Sequence, residues 1–320
     1  MPGVTATITG SPKVDDVIVG TEGDDVTVTW GGNDSVRGGD GNDLICVGSG
    51  DDKVRGGDGA DRILGGGGDD ELVGDYKNST TNGTGRDSIR AGGGDDVVVG
   101  DVLSNDTDAS GSGKDDLHGG KGDDLVVGDA LSDFHAVGTG ADEVHGGPGK
   151  DLVVGDAKGR SARGSGRDLL RGESERDVLV GDADVAGKGA ATGGSRDIVI
   201  GDDGPDLVIG DSRSTKGVAR GSGNDYVGGG KSSDVLVGDS YGGRRSSGSG
   251  GSDILQGGTS GDFLWGDHFH GGGGGGKDEL RGGEGPDRFK AGPRSDVCRG
   301  SAGRDRDLSH PRCERTTQIP

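Results

Sequence analysis

Residues 38–73 read GGDGNDLIC, VGSGDDKVR, GGDGADRIL and GGGGDDELV, four consecutive blocks of nine. In each block the first five places are mostly small or turn-forming, the sixth is Asp, and the last three form a short, partly apolar triplet. The sixth-place Asp recurs at Asp16, Asp25, Asp34, Asp43, Asp52, Asp61 and Asp70 without a slip; read on in frame it returns through Asp305, giving twenty-five repeats. A period this strict predicts a solenoid, in which each repeat buries its apolar side chains against the next. The period overrides the composition, because 27% hydrophobic residues and a net charge of -22 would otherwise place the chain among disordered polar sequences.

The triplets read as strands. Strand side chains alternate faces, so the eighth residue of each block points opposite to the seventh and ninth. The eighth places Thr27, Val36, Ile45, Val54, Ile63 and Leu72, continued from Ile89 as far as Phe289, give an inward column. The first repeat, Ser11 to Val19, has Pro12, Lys13 and Val14 where glycines belong and reads as a cap. After Val73 the repeats come in pairs, each followed by Gly-Asp and a polar loop. Eight such inserts begin at Gly74, Gly100, Gly128, Gly155, Gly181, Gly210, Gly238 and Gly266. With two repeats per coil, all eight leave from one edge. The strands just before them carry outward apolar pairs, from Val97 with Val99 to Phe263 with Trp265. An apolar band of that size needs a cover; the inserts are expected to fold back over it, and a protein or surface partner docking there is the alternative. No linker-like break interrupts the chain. The reading is one domain, 1–320, with uninterrupted repeats over 11–73, paired repeats over 74–290 and a C-terminal cap over 291–320.

Calcium wants six to eight oxygens, and a glycine-rich turn exposes backbone carbonyls that larger side chains would crowd. One Asp and two carbonyls from each of two stacked turns supply six. The nonapeptide resembles the RTX or haemolysin-type calcium-binding repeat, and the likeness covers nearly the whole length. It implies an all-β, right-handed parallel β-roll binding several Ca2+ ions, with the sixth-place Asp bridging and carbonyls contributed from the first four places. Carried over, the cleanest sites use Asp25, Asp34, Asp43, Asp52, Asp61 and Asp70 with Gly38, Gly39, Gly41, Gly56, Gly57, Gly59, Gly65, Gly66 and Gly68. The edge without inserts adds Asp96, Asp124, Asp151, Asp206 and Asp287, with Gly119, Gly120 and Gly122. Repeat 172–180 is expected to bind poorly, having Glu173 and Glu175 at glycine places, as are the repeats with Ser232 and Ser260. On the insert edge, Arg86, Lys114, Arg167, Arg196 and Lys277 precede the Asp and are expected to compete with calcium, so that edge should fill less. A glycine–aspartate solenoid without metal is the alternative; the unbroken Asp register argues for calcium.

Met1 to Gly20 does not read as a signal peptide, and no apolar run approaches a membrane span. Cys298 and Cys313 can close a disulfide, leaving Cys46 over, and a disulfide implies an oxidising compartment. The stretch from Cys298 through Cys313-Glu314-Arg315 also resembles the tail of secreted members of the family. Gly238-Asp239-Ser240-Tyr241-Gly242 fits a nucleophile pattern, but Gly-Asp opens every insert and no strand–turn–helix surrounds it. Asp106 to Gly111 opens like an EF-hand loop whose twelfth place is the core residue Leu117. His118 and His145 fall one coil apart and read as solvated surface. The expectation is a non-catalytic, extracellular calcium-binding solenoid serving as scaffold or surface component, with no nucleic acid partner. An accessory module of an extracellular enzyme is the first alternative, and an adhesin or ice-binding face, hinted at by Thr27 and Thr29, the second.

Overall fold

The computed structural model describes residues 7–75, 83–270 and 275–300, together with the backbone of Leu308–Ser309 and Cys313–Thr316. The strands fall into two long parallel sheets of fourteen and thirteen strands, and the chain alternates between them. Ser88–Gly93 in the first sheet is followed by Val97–Val99 in the second, and each pairs in parallel with its counterpart one coil on: Leu117 beside Ile89, Val126 beside Val98. The chain is therefore an all-β coil with two turns per level, as the period requires. No helix among the described residues is long and apolar enough to cross a membrane.

The eighth-place column lies where alternation puts it. Val36, Ile45, Ile63, Leu72, Leu117, Leu179, Leu236 and Leu280 are buried, and one continuous cluster runs from Val36 to Cys298. In the six-residue strands the first residue of the next block also points inward, which buries Val47 and Ala91. In the first repeat Val17 and Val19 are exposed beside a half-buried Ile18. Cys298 is buried and disulfide-bonded, and Cys46 is free. The Cys313 side chain and most of the cap expected over 291–320 lie outside the described residues.

The inserts are not loops. The second to the seventh contribute two further parallel sheets of six strands each. One takes Val102–Ser104, Ala130–Ser132, Ala157–Lys158, Ala183–Val185, Arg213–Ser214 and Tyr241–Gly242; the other takes the return strands from Ala109–Ser110 to Arg245–Ser247. Between them runs a slender core of Ala130, Ala136, Ala157, Ala162, Ala183 and Ala191. The polar composition hides these strands: no insert carries an alternating apolar pattern, and pairing is imposed by the coil beneath, which stacks each insert on the last in register.

This second column covers the apolar band along its ninth places. Val99, Val127, Val154, Val180, Ile209 and Val237 have no exposed surface, and the insert residues Tyr241 and Phe269 pack against the last three. The seventh places from Val97 to Val235 stay half-buried on the rim. Phe263 is exposed, with the Arg288 guanidinium 4.7 Å above its ring. Replacing Ala183 by Leu should overfill the alanine core and cost about 1–3 kcal/mol. Hydrogen exchange should rise in the insert strands while the main sheets keep their protection; equal loosening of both would refute a separately packed column.

Candidate metal centre

Each turn is built around its sixth-place carboxylate. The Asp25 N–H donates to Asp43 Oδ1 at 2.8 Å, the Asp43 N–H to Asp61 Oδ1 at 2.8 Å, and the Asp61 N–H to Asp87 Oδ1 at 2.7 Å. The same bond repeats at every level to Asp296 on the insert edge, and from Asp16 to Asp287 on the plain edge. Two unbroken carboxylate ladders thus bind coil to coil, using one oxygen of each Asp.

The second oxygen is different. Oδ2 of Asp34, Asp43, Asp52, Asp61, Asp70, Asp96, Asp124, Asp151 and Asp206 is buried and receives no hydrogen bond. Carbonyls crowd against it. A Cβ on Gly38 would collide with both Asp43 Oδ2 and the Gly56 carbonyl, and one on Gly56 with Asp61 Oδ2 and the Gly74 carbonyl. On the plain edge a Cβ on Gly65 would lie 2.5 Å from Asp70 Oδ2 and 2.6 Å from the Ala91 carbonyl. Gly119 stands in the same relation to Asp124 and the Gly146 carbonyl. At these four places glycine is demanded by the close approach of acceptors, whereas Val47 and Ala91 show that other first places admit a side chain. Second- and fourth-place glycines are demanded by backbone shape: Gly39, Gly41, Gly57, Gly59, Gly66, Gly68, Gly120 and Gly122 all have φ between 114° and 143°. Buried carboxylate oxygens that receive no donor, set against backbone carbonyls, fit a hard cation ringed by carboxylate and carbonyl ligands.

A family model for the RTX calcium-binding nonapeptide repeat matches residues 14–45, 47–75, 83–102, 104–134, 136–157, 164–185, 247–268 and 272–307, well over half the chain. The chain belongs to this family. Its RTX repeats bind Ca2+, which brings to such turns the positive charge that their buried carboxylates lack. No curated protein sequence matches the chain significantly. Between the matched segments, over 186–246, the geometry is unchanged: the Asp206 N–H donates to Asp234 Oδ1 at 2.9 Å, and Gly201 lies against Asp206 Oδ2.

Three groups of residues singled out in the RTX turns have distinct surroundings. Asp25 has both oxygens occupied by donors, from the Thr21 amide at 2.7 Å and the Thr7 hydroxyl at 3.1 Å, and the Thr21 bond holds its carboxyl below the usual range. It lies at the end of the ladder, where protein donors reach it. Glu173, Glu175, Ser232 and Ser260 keep the left-handed φ of the glycines they replace, between 77° and 84°, so the backbone shape of those turns is kept at a cost in strain. Arg86, Lys114, Arg167, Arg196 and Lys277 are exposed, and among the described residues none forms an ion pair with a sixth-place Asp. Alternation explains it: the fifth side chain leaves the turn where the sixth enters it.

Sequence reasoning also misplaced the Gly-Asp steps. Gly74 lies against Asp87 Oδ2 and the Gly100 carbonyl, as Gly38 lies against Asp43 Oδ2 and the Gly56 carbonyl. The glycine of each step is thus the first residue of the next repeat, and the insert emerges inside its turn. The aspartate closes the insert's neck: the Gly85 N–H donates to Asp75 Oδ2 at 2.9 Å, Gly113 to Asp101 Oδ2 at 2.8 Å and Gly140 to Asp129 Oδ2 at 2.8 Å. The signal was present in the G-x-G-x-D that ends most inserts, such as Gly111-Ser112-Gly113-Lys114-Asp115.

These carboxylates do not ionise as exposed ones do. Burial, reinforced by neighbouring carboxylates, pushes Asp61 and Asp70 up to about 7, Asp177 to about 8 and Asp87 to about 9, and Asp168 well above its ordinary value. Asp184 shows the contrast. Burial acts on it too, but Arg213 Nε at 2.7 Å and Lys158 Nζ at 2.8 Å overcome it and hold the carboxyl low. A buried Asp in direct contact with protein cations is satisfied; Lys114 and Arg196 act on the turn aspartates Asp142 and Asp225 only through space and do not overcome burial.

Two tests follow from this geometry. Gly56→Ala should cost about 1–3 kcal/mol and weaken calcium binding, because its Cβ meets a carboxylate and a carbonyl. Gly67→Ala, whose Cβ would meet only the Gly93 carbonyl at 3.8 Å, should be nearly neutral in the same denaturant titration. The second test is pH. Carboxyls raised in the folded state and ordinary in the unfolded chain leave stability untouched below about pH 4 and subtract from it as pH rises through about 7–9. Without calcium, β signal should be weak at neutral pH and return towards about pH 5. With saturating calcium, which keeps those carboxylates ionised in the folded chain as in the unfolded one, the melting temperature should become nearly independent of pH over that window.

Proposed function

We propose that the chain is a non-catalytic, extracellular calcium-dependent rod, folded by Ca2+ in its RTX turns and serving as a scaffold or surface component. The observation that carries this reading is the file of buried Oδ2 atoms facing backbone carbonyls along both edges. Asp34, Asp43, Asp52, Asp61, Asp70, Asp96, Asp124, Asp151 and Asp206 hold the ions, with the carbonyls at their first-, second- and fourth-place glycines. Sites made of two carboxylates and carbonyls suit the about 10⁻⁴–10⁻³ M affinities of extracellular calcium modules. The disulfide at Cys298 supports an oxidising compartment.

The alternatives lose their sequence hints. Thr27 and Thr29 are buried, and Thr29 donates to the Val47 carbonyl at 2.8 Å, so neither offers a surface array for ice or adhesion. Ser240, central to the nucleophile-like pattern, has no exposed surface for a substrate to reach. Attachment to an extracellular enzyme would leave these turn sites unchanged.

Removing calcium should abolish most β circular dichroism at neutral pH, since glycine entropy and carboxylate repulsion both oppose the ion-free coil. Adding it back should restore the signal cooperatively, with Mg2+ far less effective because its octahedral shell is reluctant to dehydrate. Undiminished β signal and melting temperature in excess chelator would overturn the proposal.

A further inference from the structure

The RTX turn leaves a set of buried carboxylates unused: the aspartates of the Gly-Asp steps. We infer that each is an additional cation ligand, so that an insert-edge calcium is held by three carboxylates and fastens the neck of the insert to the main coil. The inference rests on calcium occupying the turns, and it adds ligands outside the nonapeptide.

Carboxylate oxygens of Asp75, Asp87 and Asp101 lie within 4.8 Å of one another, and so do those of Asp101, Asp115 and Asp129. Ligands on opposite sides of one calcium ion, each at about 2.3–2.6 Å, are separated by about 5 Å, so either group spans a single ion. Asp101 belongs to both groups and links successive levels.

The second observation is the direction of the spare oxygens. Asp101 and Asp129 have no exposed surface. One oxygen of each takes the glycine N–H that closes the neck, and Oδ1 has no donor. Each spare oxygen is aimed at the turn site. A Cβ on Gly113 would lie 2.8 Å from Asp101 Oδ1, 2.8 Å from Asp115 Oδ2 and 2.5 Å from the Gly85 carbonyl. On Gly140 it would lie 2.6 Å from Asp129 Oδ1, 2.6 Å from Asp142 Oδ2 and 2.7 Å from the Gly113 carbonyl. The three atoms nearest each of these positions are all acceptors, and a cation makes their convergence attractive. Because the same Asp grips the returning glycine of its insert, an ion bound there ties the insert's entry and exit to the sixth-place ladder. On the plain edge, Asp124 has no such partner and serves its turn alone.

The test uses the full chain and calcium. Anomalous scattering from wild-type crystals should place an ion about 2.3–2.6 Å from an Asp101 oxygen. Ions touching only sixth-place carboxylates and carbonyls would overturn the inference. In solution, Asp101→Asn should lose at least one bound ion by calorimetry, or bind it at least about tenfold more weakly, and speed hydrogen exchange at Val102–Ser104 and Ala130–Ser132. Asp124→Asn should lose calcium without loosening those strands. Equal ion number and affinity in wild type and Asp101→Asn would overturn this inference and leave the turn sites standing. A wild type that binds no calcium at all would overturn the turn sites themselves.

Discussion

The structure depends on a carboxylate that is half used. From Asp34 and Asp43 onward along the two ladders, one oxygen of the sixth-place Asp accepts the backbone N–H of the coil before it, setting the stacking register. The other is then forced inward, against a first-place glycine and a carbonyl from the next coil. The bond that builds the ion-free frame also creates its liability. Carboxylates one coil apart repel by roughly 1 kcal/mol in water and about 3–4 kcal/mol at an effective dielectric of 20, and burial removes the water that would screen them. Repeated along two edges, that repulsion ties folding to a divalent cation.

The same metronome lets a second structure grow on the first. Each insert is clipped at its neck by an Asp that accepts the N–H of a returning glycine, so it leaves and re-enters the coil at a fixed height. Segments of alanine, serine and glycine then pair as strands because they are held a coil apart in register, with little apolar drive of their own. Where a charge is buried in this column it is paired, as Asp184 is by Arg213 and Lys158. Those ion pairs join successive inserts, whereas the bare carboxylates line the ladder edge. The distinction separates a carboxylate satisfied by protein from one that waits on an ion.

The amino-acid sequence determined the coil, its inward column and the calcium chemistry, because each follows from local periodicity. Side-chain alternation sends Val36, Ile45 and Leu72 inward whatever surrounds them, and the recurrence of Asp at one place in nine puts a carboxylate in every turn. The tertiary structure decided what depends on contacts between coils. The strands of the inserts, the burial of Val127 and Ile209 and the start of each interrupted repeat at its Gly-Asp glycine arise from stacking. So does the meeting of Asp101 with Asp115 and Asp129, residues 14 and 28 positions away in the chain. A nine-residue pattern fixes what happens within a repeat. A carboxylate ligand drawn from the neck of an insert is visible only once the coils lie on one another.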